Sequence, residues 1–141
     1  MSATRRRRAG KVEDAALVAL DSSCWMEFFA DTDRADLFAG PIEAVNELVV
    51  PVVTIYEVVK KLSREAGEET AAAALSLMQR GKVFAVDLPL ALDAALNGLP
   101  LADSLIYATA RLANATLWTQ DAHFKGLPGV RYLPKPKARA P

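Results

Sequence analysis

The chain has one cysteine and one histidine in 141 residues. Cys24 alone cannot build an internal disulfide framework, which fits a reducing compartment, and His123 alone excludes a histidine-rich zinc site. An excess of charge is missing too. Seventeen basic residues balance seventeen acidic ones, so work on a nucleic acid would have to rest on a local basic surface or on bound cations. No window approaches the roughly 18 apolar residues of a membrane span. Arg5 to Arg8 lead into Lys11, Glu13 and Asp14 without the apolar stretch of a signal peptide. The expectation is a cytoplasmic protein with no membrane partner. Neither a Gly-x-Gly-x-x-Gly nor a Walker-type run occurs, which disfavours a nucleotide-binding fold.

What remains is 52% hydrophobic and 24% charged, enough for one domain with a real core. Residues 1–14 read as a flexible basic arm and 134–141, Pro-Lys-Pro-Lys-Ala-Arg-Ala-Pro, as an extended solvated tail. Between them, 15–133 alternate strand and helix. Ala15 to Leu20 is an apolar run too short for a typical helix and reads as a strand buried on both faces. Asp21-Ser22-Ser23 then opens a helix. Leu48 to Thr54, with four valines, reads as a second strand, in which Pro51 marks the beginning or an irregularity. A helix follows to about Ala66, and another from Gly67-Glu-Glu-Thr70 to Met78, closed by Gly81. Lys82 to Asp87 is a third strand and Leu90 to Asn97 a helix. Leu101 to Asn114 is a strong helix after Pro100, Ala115 to Thr119 a strand, and Val130 to Leu133 a last short strand. This order predicts a three-layer α/β/α sandwich around a mostly parallel sheet.

In open α/β sheets ligands collect beyond the carboxyl ends of the strands. Asp21 follows the first strand directly, Glu57 lies three residues after Thr54, and Asp121 lies two after Thr119. Asp103 stands in the first turn of its helix, where the dipole tolerates a carboxylate. Four converging carboxylates would repel one another unless cations neutralised them, and Mg2+ or Mn2+ suits an all-oxygen set. Ordinary explanations stand beside each acid. Asp21 can cap a helix and Asp121 can start a turn. Ile55, Val58, Val59 and Leu62 form an apolar stripe that puts Glu57 opposite the core, paired with Lys61. His123 reads as a turn residue, a general acid being the alternative. Trp25, Phe28 and Phe29 read as helix packing rather than a stacking platform for bases.

Leu20-Asp21-Ser22-Ser23, Thr54-Ile-Tyr-Glu57-Val58, Leu101-Ala-Asp103-Ser-Leu-Ile-Tyr-Ala-Thr-Ala110 and Thr119-Gln-Asp121-Ala-His-Phe124 resemble the successive motifs of PIN domains, most closely VapC-type toxins. The resemblance covers about residues 16 to 133. It implies a Mg2+- or Mn2+-dependent endoribonuclease in which Asp21, Glu57, Asp103 and Asp121 hold the metal, with Ser23 and Thr119 orienting the acids or their waters. It also implies a homodimer, a cognate antitoxin protein covering the site, and a structured RNA substrate such as transfer RNA. The family's first strand usually begins near the initiator, whereas a basic arm comes first here. Lys60, Lys61 and Arg64, with Arg111, are the candidates for phosphate contacts, although surface solubility explains them as well.

Three other readings stand beside this one: a PIN-domain RNA-processing nuclease that is not a toxin, a catalytically dead PIN-like binding module, and a phospho-receiver signalling domain. The last draws on Asp87 at a strand end and on Tyr132-Leu-Pro-Lys135-Pro. It lacks adjacent acids after the first strand, since Ser22 and Ser23 follow Asp21.

Overall fold

The computed structural model describes residues 17–137, so the basic arm over 1–14 lies outside the described residues. Its five strands are β1 (Val18–Leu20), β2 (Leu48–Pro51), β3 (Lys82–Phe84), β4 (Thr116–Thr119) and β5 (Val130–Tyr132). The six helices are α1 (Ser22–Phe29), α2 (Ala35–Glu43), α3 (Val52–Glu65), α4 (Glu68–Met78), α5 (Leu88–Ala95) and α6 (Leu101–Leu112). All strand pairings are parallel and the sheet order is β3-β2-β1-β4-β5. That order also disposes of the receiver reading, whose fold orders its strands 2-1-3-4-5.

The pleat sorts the strand residues into two cores. Leu20, Leu48 and Val50 face one side, where Trp25 of α1, Phe38 and Ile42 of α2, Val58 and Leu62 of α3 and Met78 of α4 cover them. Ala19, Val49 and Leu117 face the other, under Ile106 and Ala110 of α6 together with Phe124. α5 packs on the outside of α6 through Leu90 and Ala94 against Ala108. The result is the expected three-layer sandwich. Trp25 is fully buried and stacks on Phe29 with ring centroids 5.7 Å apart, which fits packing rather than base stacking.

The end of β2 and the presence of α2 differ from the sequence reading in ways that matter, and β3 stops at Phe84 rather than at Asp87, which instead caps α5 by accepting from the Leu90 amide. β2 stops at Pro51, and Val52, Val53 and Thr54 already belong to α3. Proline cannot donate to a sheet ladder, whereas its φ of −63° with ψ of 138° suits the residue before a helix. Glu57 is therefore the sixth residue of α3 rather than a residue just beyond a strand. α2 is absent from the sequence reading because Gly40 and Pro41, both poor helix formers, lie inside it. Its burial of Phe38 and Ile42 outweighs their propensities. Near the other end, Pro134 to Lys137 have no regular structure and are exposed. Lys135 nevertheless turns back on the domain, with its Nζ 3.7 Å from Oε2 of Glu27.

Candidate active site

Because every strand runs the same way, β1, β2 and β4 deliver the chain to one edge of the sheet, and the acids gather there. A cleft of about 480 Å³ opens at that edge, lined by Asp21, Glu57, Asp103 and Asp121 together with Ser22 and Ser23. Asp21 is buried. It caps α1, accepting from the Cys24 amide on Oδ1 at 3.2 Å, and takes a second bond there from Ser23 Oγ at 2.7 Å. Its Oδ2 accepts from the Thr119 hydroxyl. Capping and membership of the cleft are thus the same placement of one side chain.

Thr119 is fully buried at the end of β4 and works in both directions. Its hydroxyl donates to Asp21 and accepts from the Asp121 amide at 2.9 Å. Asp121 in turn accepts from the His123 amide at 2.9 Å, starting the short 3-10 turn Ala122–Phe124. Phe124, fully buried, anchors that turn in the core.

Glu57 departs from the periodicity argument. Its Oε1 accepts from the Ser22 hydroxyl at the start of α1, and the side chain is half-buried in the cleft rather than paired with Lys61 in solvent. The helical stripe assigns a core side correctly through Val58 and Leu62. It cannot show that α1 brings a second polar partner to the opposite side. Of the basic candidates, Lys61 lines the cleft. Lys60 instead meets the Tyr56 hydroxyl at 3.1 Å, and neither it nor Arg64 lines the cleft.

His123 is also more than a turn residue. Its Nδ1 lies 2.8 Å from Asp103 Oδ2 and 3.4 Å from Asp121 Oδ2. The bond to Asp103, then the Asp121 charge, raises the imidazole above its ordinary pKa. Burial raises Asp103, aided by the charges of Asp121 and Asp21, while the bond to His123 opposes the shift. Burial, then the negative charge of Asp21, pushes the Cys24 thiol far up, so this cysteine is inert packing whose Sγ reaches the Trp118 carbonyl at 3.4 Å.

Sequence reasoning missed the far wall of the cleft. Glu27 of α1 and Lys135 line it. Glu27 accepts from Thr32 Oγ1 at 2.6 Å, and Arg34 approaches its Oε2 at 3.8 Å. Arg34 also donates to Gln120 and to the Leu133 carbonyl at 2.8 Å, tying the start of α2 to the chain after β5. Burial would raise Glu27, but the bond from Thr32 and the charges of Lys135 and Arg34 outweigh it and hold the carboxyl below its ordinary range. The i, i+7 spacing of Glu27 and Arg34 across a turn is too common to have signalled this.

Carboxylate oxygens dominate the donor set. Ligand atoms from Asp103, Asp121 and His123 lie within 4.8 Å of one another. Oxygen-rich ligands around a solvent-open cleft suit a hard divalent cation that keeps several waters. The fold and this cleft define an α/β protein with an acidic site at the carboxyl edge of a parallel sheet. Residues 18–130 match the PIN domain, and the chain belongs to that family.

No curated protein sequence matches the chain. Among solved structures, it is similar to a toxin–antitoxin complex from Klebsiella pneumoniae, with 23% identity, a TM-score of 0.67, and 81% of this chain and 95% of that one covered. It is also similar to Mycobacterium tuberculosis VapC20, a toxin that cleaves the sarcin–ricin loop, at 16% identity and TM-score 0.64, covering 79% and 95% of the two chains. A third is VapBC2 from Rickettsia felis bound to a promoter DNA fragment, at 17% identity and TM-score 0.64, covering 84% and 98%. At these identities the likeness concerns the fold. Among the described residues, no helix is long and apolar enough to cross a membrane.

Proposed function

We propose that the chain is a divalent-metal-dependent endoribonuclease that serves as the toxin of a toxin–antitoxin pair. The observation that carries this reading is the convergence of Asp21, Glu57, Asp103 and Asp121 on one cleft, with hydroxyls of Ser22, Ser23 and Thr119 fixing two of the four. Bound Mg2+ or Mn2+ would supply a nucleophilic water at neutral pH and offset charge on the phosphodiester in the transition state. The carboxylates would hold it, with the hydroxyl partners of Asp21 and Glu57 fixing the orientation of those two side chains. Lys61, on the cleft wall, would meet a phosphate of the RNA backbone. The open cleft admits a polymer; toxin–antitoxin assemblies among the similar structures support a cognate antitoxin as partner, and the sarcin–ricin-loop-cleaving VapC20 supports a structured RNA as substrate, for which transfer RNA is the candidate that the motif resemblance implies.

A homodimer is part of the same reading, and α5 offers a face for it. Leu88, Leu92 and Leu96 recur one turn apart and are 57–87% exposed. Beside them lies a groove containing Asp93 and Arg111, opposite charges that a two-fold axis would pair across a self-complementary contact.

Growth of cells expressing the parent chain and Asp103→Asn tests the assignment. The parent should arrest growth and the variant should not. Equal growth with both, at equal soluble protein, contradicts a toxin, and an RNA-processing PIN nuclease would then be the better reading.

A further inference from the structure

The four acids by themselves do not distinguish Mg2+ from Mn2+, since both accept carboxylates and water. His123 adds a donor of a different kind. Its backbone is held on both sides, by the hydrogen bond that its N–H donates to Asp121 Oδ1 and by Phe124 in the core, while its ring remains 59% exposed and points at Asp103 and Asp121. For an ion with ligands at about 2.1 Å, adjacent octahedral ligand atoms stand about 3 Å apart. The Nδ1 distances of 2.8 Å to Asp103 and 3.4 Å to Asp121 bracket that edge. Two edges of the triangle formed by two carboxylate oxygens and one imidazole nitrogen thus match one cation, and the third, between the carboxylates, is no longer than 4.8 Å. Magnesium prefers oxygen and dehydrates reluctantly, whereas transition-metal divalents accept imidazole.

We propose that His123 is a metal ligand, binding through Nδ1 beside Asp103 and Asp121, and that it biases this site toward Mn2+ and other transition-metal divalents over Mg2+. The inference rests on the metal-dependent reading above and adds to it a residue and a selectivity. In the bound state the proton that Nδ1 shares with Asp103 gives way to the metal, so the two cannot both be retained on that nitrogen.

The chain's single histidine makes the test unambiguous. Full-length protein without an affinity tag is titrated with Mn2+ and observed by pulsed electron paramagnetic resonance, which detects 14N coupling from a coordinated imidazole. The parent should show the coupling and His123→Ala should not. In calorimetry the variant should lose about tenfold or more in Mn2+ affinity, while Mg2+ affinity changes by less than about threefold. Mn2+ binding by the parent without nitrogen coupling overturns this inference and leaves the metal-dependent reading standing. So does an equal loss of both ions in the variant, since His123 would then only position Asp103. Failure of the parent to bind either ion overturns both.

Discussion

The Thr119 hydroxyl donates to Asp21 across 98 residues of sequence, joining the ends of β1 and β4, and accepts from the amide of Asp121. One buried side chain thus sets the distance between two of the acids. Thr119→Val keeps the shape and removes both bonds, leaving an unpartnered amide in place of a linked pair. The expected result is a loss of about 10- to 100-fold in Mn2+ affinity with Thr119→Ser close to the parent, measured by calorimetry. If Thr119→Val binds Mn2+ as the parent does, the hydroxyl does not organise the site.

Glu57 is held by Ser22 at the start of α1. Glu57→Gln preserves the size and can still accept from Ser22 while removing a charge from the cleft. It should lower Mn2+ affinity and RNA cleavage by at least about tenfold and leave the urea midpoint nearly unchanged. A variant with full activity would return Glu57 to the role of a surface residue.

The difference between the two acids shows what the sequence made legible. Asp21 follows its strand directly and Asp121 stands two residues beyond the end of β4, so their address at the sheet edge can be read from the order of elements alone. The same placement makes them caps, and so the capping argument does not weigh against the functional one here. Glu57 is hidden because Pro51 ends β2 earlier than the valine run suggests, and because helical periodicity separates core from non-core without showing what else faces the non-core side. His123 is hidden for a similar reason. Its proximity to Asp121 is visible, but Asp103 comes to it only through the packing of α6 against β4 and Phe124. α2 goes unread because Gly40-Pro41 conceals a helix that tertiary burial sustains.

Glu27 gives a pH dependence of stability. Its carboxyl is held below the ordinary value of about 4.3, so the unfolded chain binds more protons in the window between the two values. Its contribution is present above that ordinary value and is lost as pH falls through the folded one. Urea unfolding in chelator should therefore find Glu27→Gln less stable than the parent near neutrality, with the gap closing in acid. A gap that stays constant with pH would show that the ion pairs to Arg34 and Lys135 do not favour the charged form.

The leucines of α5 make the quaternary proposal specific. Leu92→Glu places a charge in the middle of the exposed stripe while leaving buried Leu90 and Ala94 untouched. Sedimentation should find the parent dimeric and the variant monomeric with an unchanged circular dichroism spectrum. A variant that remains dimeric moves the interface elsewhere.

The acidic cleft as a metal-dependent ribonuclease site is tested most directly by cleavage of transfer RNA by purified chain freed of any partner. Cleavage should occur with Mg2+ or Mn2+ and stop with chelator. It should fall by at least about a hundredfold in Asp103→Asn, in keeping with the several kcal/mol that a bound cation supplies to phosphoryl chemistry. Cleavage that survives chelator, or that proceeds in folded Asp103→Asn at the parent rate, would contradict the account.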